Sequence, residues 1–214
     1  SAILGLNLFH GDSSACLLVD GKLIAAAEEE RFKRIKHWAG FPLESIKYCL
    51  KEGDIDINGI NHIAINSDPK AHAFKKIIYT LKNRPDPKFI IDRIKNKKSR
   101  MTIETLISES FPGHSFEGKI HNVEHHLCHL ASSYFVSPFE KSVAISVDGF
   151  GDFASSAWGL CEGNNISLDD RIFFPHSLGI FYQAMTQFLG FPHYGDEYKV
   201  MGMAAYGEPK VHEK

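Results

Sequence analysis

The chain has 214 residues, 43% of them hydrophobic and 23% charged, with a formal net charge of −2. That composition is ordinary for a globular protein and excludes disordered or collagen-like chains. Charge this near neutral gives no broad attraction for nucleic acid or an anionic membrane, and no apolar run reaches the roughly 18 residues that span a bilayer.

Residues 3–9 (ILGLNLF) are apolar and predict a buried strand. Gly11-Asp12-Ser13-Ser14 turns the chain, and residues 14–20 form a second strand. Asp20-Gly21 is a strong hairpin signal, so residues 22–28 return as a third. The polar run from Glu28 to His37 has the composition of a solvated loop. Its Arg31, Lys33, Arg34 and Lys36 also suit contact with an anionic substrate such as a phosphate. Pro42 opens a helix through about Leu50, and residues 60–66 predict a strand. Residues 70–110 are amphipathic, lysine-rich and helical in pattern, broken at Arg84-Pro85-Asp86-Pro87. A short strand at 119–123, a helix over 124–136 and a buried strand at 141–147 follow.

Gly11-Asp12-Ser13-Ser14-Ala15 is echoed by Gly151-Asp152-Phe153-Ala154-Ser155-Ser156-Ala157. Each follows an apolar strand and precedes a strand, a turn (Asp20-Gly21; Gly163-Asn164-Asn165) and another strand. Gly, Asp and Ser are common turn residues, so the bland reading is coincidence. The agreement of strand order, turns and spacing favours a duplicated three-stranded unit. Such a βββ-α duplication is the plan of the α/β actin-like, sugar-kinase-like ATPase folds. The first subdomain would cover 1–140, with a lysine-rich insertion at about 70–118, and the second would begin at 141–214.

His125 and His129 are i and i+4, so both imidazoles share a helix face and can bind a transition metal. Position 126 is His rather than Glu, so the HExxH protease pattern is absent. Asp148, at the end of a strand and the start of a Gly-rich turn, is the best third ligand. The bland alternative is a solvated histidine face. Backbone N–H groups at Gly149 and Gly151 can approach phosphate closely. Asp12 occupies the matching first turn, and His10 precedes it. Ser177 is a natural N-cap for a helix over 178–190. The string 195–207 carries Glu197 and Lys199 beside small residues, with a helix-packing seam as its bland reading. Cys16, Cys49, Cys128 and Cys161 form no CxxC pair, which fits a reducing cytoplasm.

The order HGDSSACLLVDGKLIAAAEEERFKRIKH, EHHLCHLASSYFVSPFE, VDGFGD, PHSLGIFYQAMTQFLGF and GDEYKVMGMAAYGEP resembles the nodulation-protein and antibiotic O-carbamoyltransferases. These are related to the tRNA threonylcarbamoyl-adenosine synthases. The resemblance spans most of residues 3–209 and implies the N-terminal part of a longer chain. It implies use of carbamoyl phosphate and ATP, a carbamoyl-adenylate, and transfer of the carbamoyl group to a hydroxyl of a small acceptor such as a sugar or antibiotic. It implies a divalent metal, iron or zinc, on His125, His129 and Asp148. His10 and Lys36 would contact phosphate, and Asp12, Gly149, Gly151, Glu197 and Lys199 are the remaining nucleotide candidates. No nucleic-acid or membrane partner is expected. A sugar or acetate kinase of the same fold, or a degenerate nucleotide-binding module, are the alternatives.

Overall fold

A computed structural model of the chain describes residues 1–9, 11–83 and 102–208. His10, the Arg84–Pro87 break and the last six residues lie outside the described residues. The chain divides into two compact units, 1–125 and 126–214.

The first unit opens with a meander of β1 (Ala2–Asn7), β2 (Ser14–Val19) and β3 (Lys22–Glu28). The Asp20-Gly21 hairpin places both residues at positive φ (49° and 78°), as a tight two-residue turn requires. β4 (His62–Ile65) and β5 (Lys119–Asn122) then add in parallel beside β1, giving the order β3-β2-β1-β4-β5. Alternation along β1 buries Ala2, Leu4 and Leu6 on one face. Leu17, Ile46, Cys49, Ile63 and Ile107 join them in the core. All four cysteines are free thiols, and burial pushes the Cys49 thiol up to about 11.

The charged run after β3 is more ordered than its composition predicts. Glu30–Lys33 form a single helical turn, α1. Glu29 is fully buried and accepts hydrogen bonds from the Glu44 N–H (3.2 Å), the Ser45 N–H (2.8 Å) and the Ser45 hydroxyl (2.8 Å). Those donors belong to the first turn of α2 (Leu43–Glu52), whose preceding residue, Pro42, offers no side-chain cap. A carboxylate from a distant segment thus satisfies the orphan N–H groups and favours the helix dipole. α2 packs on β2 and β3. Within the lysine-rich stretch, α3 (Ala73–Asn83) and α4 (Ile103–Ser110) are helical as expected.

In the second unit, β6 (Lys141–Gly151), β7 (Ala154–Glu162) and β8 (Asn165–Phe173) form an antiparallel sheet in the order β6-β7-β8. β6 runs past the predicted end at 147, with irregular pairing between Val147 and Gly151. Helix α5 (His125–Tyr134) precedes the sheet, and α6 (Leu178–Phe188) and α7 (Glu197–Ala204) follow it. The echoed turns share a backbone signature: Asp12 and Asp152 both lie at positive φ, 64° and 49°. An antiparallel three-stranded meander recurs in both units, and in the first it continues into parallel strands beside β1. This is the α/β plan of the actin-like, sugar-kinase-like ATPase fold. Among the described residues, no helix is long and apolar enough to cross a membrane.

Candidate metal centre

The i, i+4 spacing does bring His125 and His129 together on α5, and β6 brings Asp148 to them. One donor atom from each of the three residues lies within 4.8 Å of the others. His129 Nε2 is 3.5 Å from Asp148 Oδ2. The His129 and Asp148 side chains are 47% and 36% exposed, so the cluster is open to a ligand. Two imidazoles and a carboxylate suit zinc or iron, and three protein donors leave coordination positions for other ligands. The donor set present therefore fits such an ion.

The Asp148 turn is held from three directions. Its own Oδ1 accepts the Gly149 N–H at 2.6 Å. The Ser177 hydroxyl lies within hydrogen-bonding reach of the Asp148 carbonyl (3.1 Å) and the Gly149 carbonyl (2.8 Å). The same hydroxyl accepts the Ile180 N–H at 3.0 Å, the N-cap role read from the sequence. Gly179 then packs backbone on backbone. A Cβ there would sit 2.5 Å from the Asp148 carbonyl oxygen and 2.6 Å from the Gly149 nitrogen. Neither Ser177's hold on the turn nor the need for glycine at 179 was visible in the sequence.

His126 was also missed. It is fully buried, and its Nδ1 lies 2.6 Å from Ser146 Oγ. With Leu130 and Tyr134 it forms the buried i, i+4, i+8 ridge of α5. That spacing was the available signal. His121, four residues before His125, meets His62 across β4 and β5, at 3.1 Å.

The remaining candidates are placed as follows. Lys36 is 80% exposed and its ammonium donates to Glu30 at 3.0 Å. That bond, with the His37 N–H at 3.2 Å, holds the Glu30 carboxyl below its ordinary range. Asp12 Oδ1 meets His37 Nδ1 at 2.9 Å, and the Asp12 carbonyl accepts from the Asn7 amide at 2.9 Å. Donor atoms of Asp12, Glu30 and His37 also lie within 4.8 Å of one another, a second cluster not foreseen. Gly149 would meet only Ile180 at 3.8 Å, whereas Gly151 pairs with Ala154 in the β6–β7 ladder. Lys199 donates to Asp196 at 2.6 Å, which raises the lysine's pKa and lowers the aspartate's. Glu197 opens α7, and its carbonyl accepts the Tyr182 hydroxyl at 2.9 Å. Within the 195–207 string Asp196 is buried and α7 touches α6, whereas Met201, Met203 and Tyr206 are exposed.

A Synechocystis protein of uncharacterised function, sll1178, is 35% identical over 97% of this chain and 35% of its own length. Nodulation protein NolNO of Sinorhizobium fredii is 35% identical over 96% of this chain and 29% of its own length. The chain thus spans about a third of the length of these relatives. Among solved structures, YeaZ from Pseudomonas aeruginosa matches with a TM-score of 0.42 at 16% identity, covering 79% of this chain and 64% of its own. A ROK hexokinase from Thermus thermophilus matches with a TM-score of 0.45 at 11% identity, covering 100% of this chain and 72% of its own. The model of the carbamoyltransferase N-terminus matches residues 2–214, and with that span the chain belongs to the carbamoyltransferase N-terminal family.

Proposed function

We propose that this chain is the metal- and phosphate-handling part of an enzyme that uses carbamoyl phosphate and ATP. Carbamoyl phosphate would lose its phosphate to water, the carbamate oxygen would displace pyrophosphate from ATP to give a carbamoyl-adenylate, and the carbamoyl group would pass to a hydroxyl of a small acceptor as AMP leaves. The observation that carries the reading is the His125, His129 and Asp148 donor set at a strand-end glycine turn, in a chain of this family. A phosphotransferase of the same fold has no need of a helix-borne histidine pair.

His125, His129 and Asp148 would hold a divalent iron or zinc ion. Bound there, the ion supplies positive charge to nucleotide phosphate oxygens as negative charge develops on them. A Cβ at Gly149 would meet only Ile180, at 3.8 Å, so the Cα face of that residue is open to a phosphate while its N–H is held by Asp148 Oδ1 at 2.6 Å. The Lys36 side chain is exposed while its Glu30 partner is nearly buried, so an anionic substrate would compete with Glu30 for the ammonium from the solvent side. His10 would be a second phosphate contact. Asp12, Gly151, Glu197 and Lys199 remain nucleotide candidates. Lys199 would have to leave Asp196 to act, which makes it the weakest of them.

The test is release of pyrophosphate from ATP by the whole protein with no acceptor added. The proposal expects release only when carbamoyl phosphate is present. Release independent of carbamoyl phosphate, or transfer of the γ-phosphoryl group to a sugar, would overturn it.

A further inference from the structure

Three donors on two separate elements make one site only if those elements keep a fixed register. α5 carries two of the donors and β6 the third. Apolar packing alone is a weak guarantee of register, because side chains slide and rotate over one another at small cost. A buried hydrogen bond is directional, and leaving it unmade is expensive.

His126 lies between the two ligating histidines in sequence, about 100° round the helix from His125. It is fully buried and its Nδ1 meets Ser146 Oγ at 2.6 Å. Ser146 lies two residues before Asp148 on β6, and strand alternation puts both on one face. At the other end of the helix, the Tyr134 hydroxyl donates to the Glu140 carbonyl at 2.7 Å, just before β6 begins. α5 is therefore tied to the β6 segment near each end. The His126–Ser146 tie is the one adjacent to all three donors.

We infer that His126 and Ser146 are a positioning pair for the metal centre. Their hydrogen bond fixes the advance and rotation of α5 against β6, so that the His125, His129 and Asp148 donors converge. Neither residue is itself a ligand. The inference rests on the metal reading above.

The experiment is titration of the metal-stripped whole protein with Co²⁺, followed by its visible absorption, below the unfolding temperature and with folding checked by circular dichroism. Ser146→Ala and His126→Leu should bind Co²⁺ about tenfold more weakly, the lower end of what outer-shell partners contribute, with altered absorption bands. His126→Asn places a hydrogen-bonding atom near the position of Nδ1 and should recover most of the affinity and the wild-type bands. A purely structural role would lower the unfolding temperature and leave the Co²⁺ bands of the folded protein unchanged. Wild-type affinity and bands in both Ser146→Ala and His126→Leu would overturn the inference. So would a His126→Asn variant as weak as His126→Leu, which would assign the effect to packing. A wild-type protein that binds no Co²⁺, or His125→Ala/His129→Ala binding as wild type does, would instead overturn the metal reading, and the inference with it.

Discussion

Gly179→Ala would press on the turn that carries Asp148. The added Cβ would lie 2.5 Å from the Asp148 carbonyl oxygen, 2.6 Å from its carbonyl carbon and 2.6 Å from the Gly149 nitrogen, against 3.4 Å for ordinary contact. All three atoms are backbone, so no rotamer change relieves the clash. Either α6 backs away or the Asp148 turn moves by most of an ångström. Overpacking of this kind costs about 1–3 kcal/mol. Alanine's better helix propensity returns well under about 1 kcal/mol at the second residue of the helix, so a net loss of about 1–2 kcal/mol remains. For a chain of this length the net loss lowers the melting temperature by roughly 2–8 °C. The shifted carboxylate should also weaken metal binding, because Asp148 sits directly at the moved backbone. Gly202→Ala in α7 is the control: a Cβ there meets nothing within 4 Å, so propensity alone acts and stability should hold or rise slightly. Thermal unfolding by circular dichroism and metal content by elemental analysis read both effects. A Gly179→Ala protein with wild-type melting and wild-type metal content would refute the reasoning.

Three other perturbations follow from the same contacts. Glu29→Ala strips the first turn of α2 of its only side-chain acceptor among the described residues and leaves buried donors unmade, so chemical denaturation should show a loss of about 2–3 kcal/mol. Lys36→Ala should weaken carbamoyl phosphate use at saturating ATP by roughly tenfold or more, the worth of one charged hydrogen bond, and Lys36→Arg should restore only part; an unchanged dependence would return the 28–37 run to a surface role. The Asp196–Lys199 pair sets a pH window: the aspartate's pKa is lowered and the lysine's raised, so its contribution is present above the ordinary carboxyl range and below the ordinary lysine range. It is lost as pH falls through the depressed Asp196 value or rises through the elevated Lys199 value. Lys199→Ala should abolish the alkaline edge of this contribution in the melting-temperature profile and shrink the acidic one, because the His193 N–H still lowers Asp196.

The meanders were legible because strand alternation and the Asp20-Gly21 signal are local properties of the chain. The parallel addition of β4 and β5 beside β1 was not, since no short-range pattern encodes which distant strand pairs with which. The convergence of His125, His129 and Asp148 was legible from helical spacing and a strand-end carboxylate. Their supports were not. Glu29 looks like one more charge in a polar run until α2 is seen to dock its first turn on it. His126 looks like an interruption of a metal motif until its ridge with Leu130 and Tyr134 is buried. Gly179 is an ordinary helix-start residue except for the backbone lying against it. In each case the deciding partner is far away in sequence, so only the folded chain reveals it.

The proposed function stands on His125, His129 and Asp148 holding one divalent metal ion. Elemental analysis of the whole protein, purified without added metal, beside His125→Ala/His129→Ala tests it most directly. Close to one iron or zinc per wild-type chain is expected, and a small fraction of that in the double variant. Equal metal in the two proteins would contradict it.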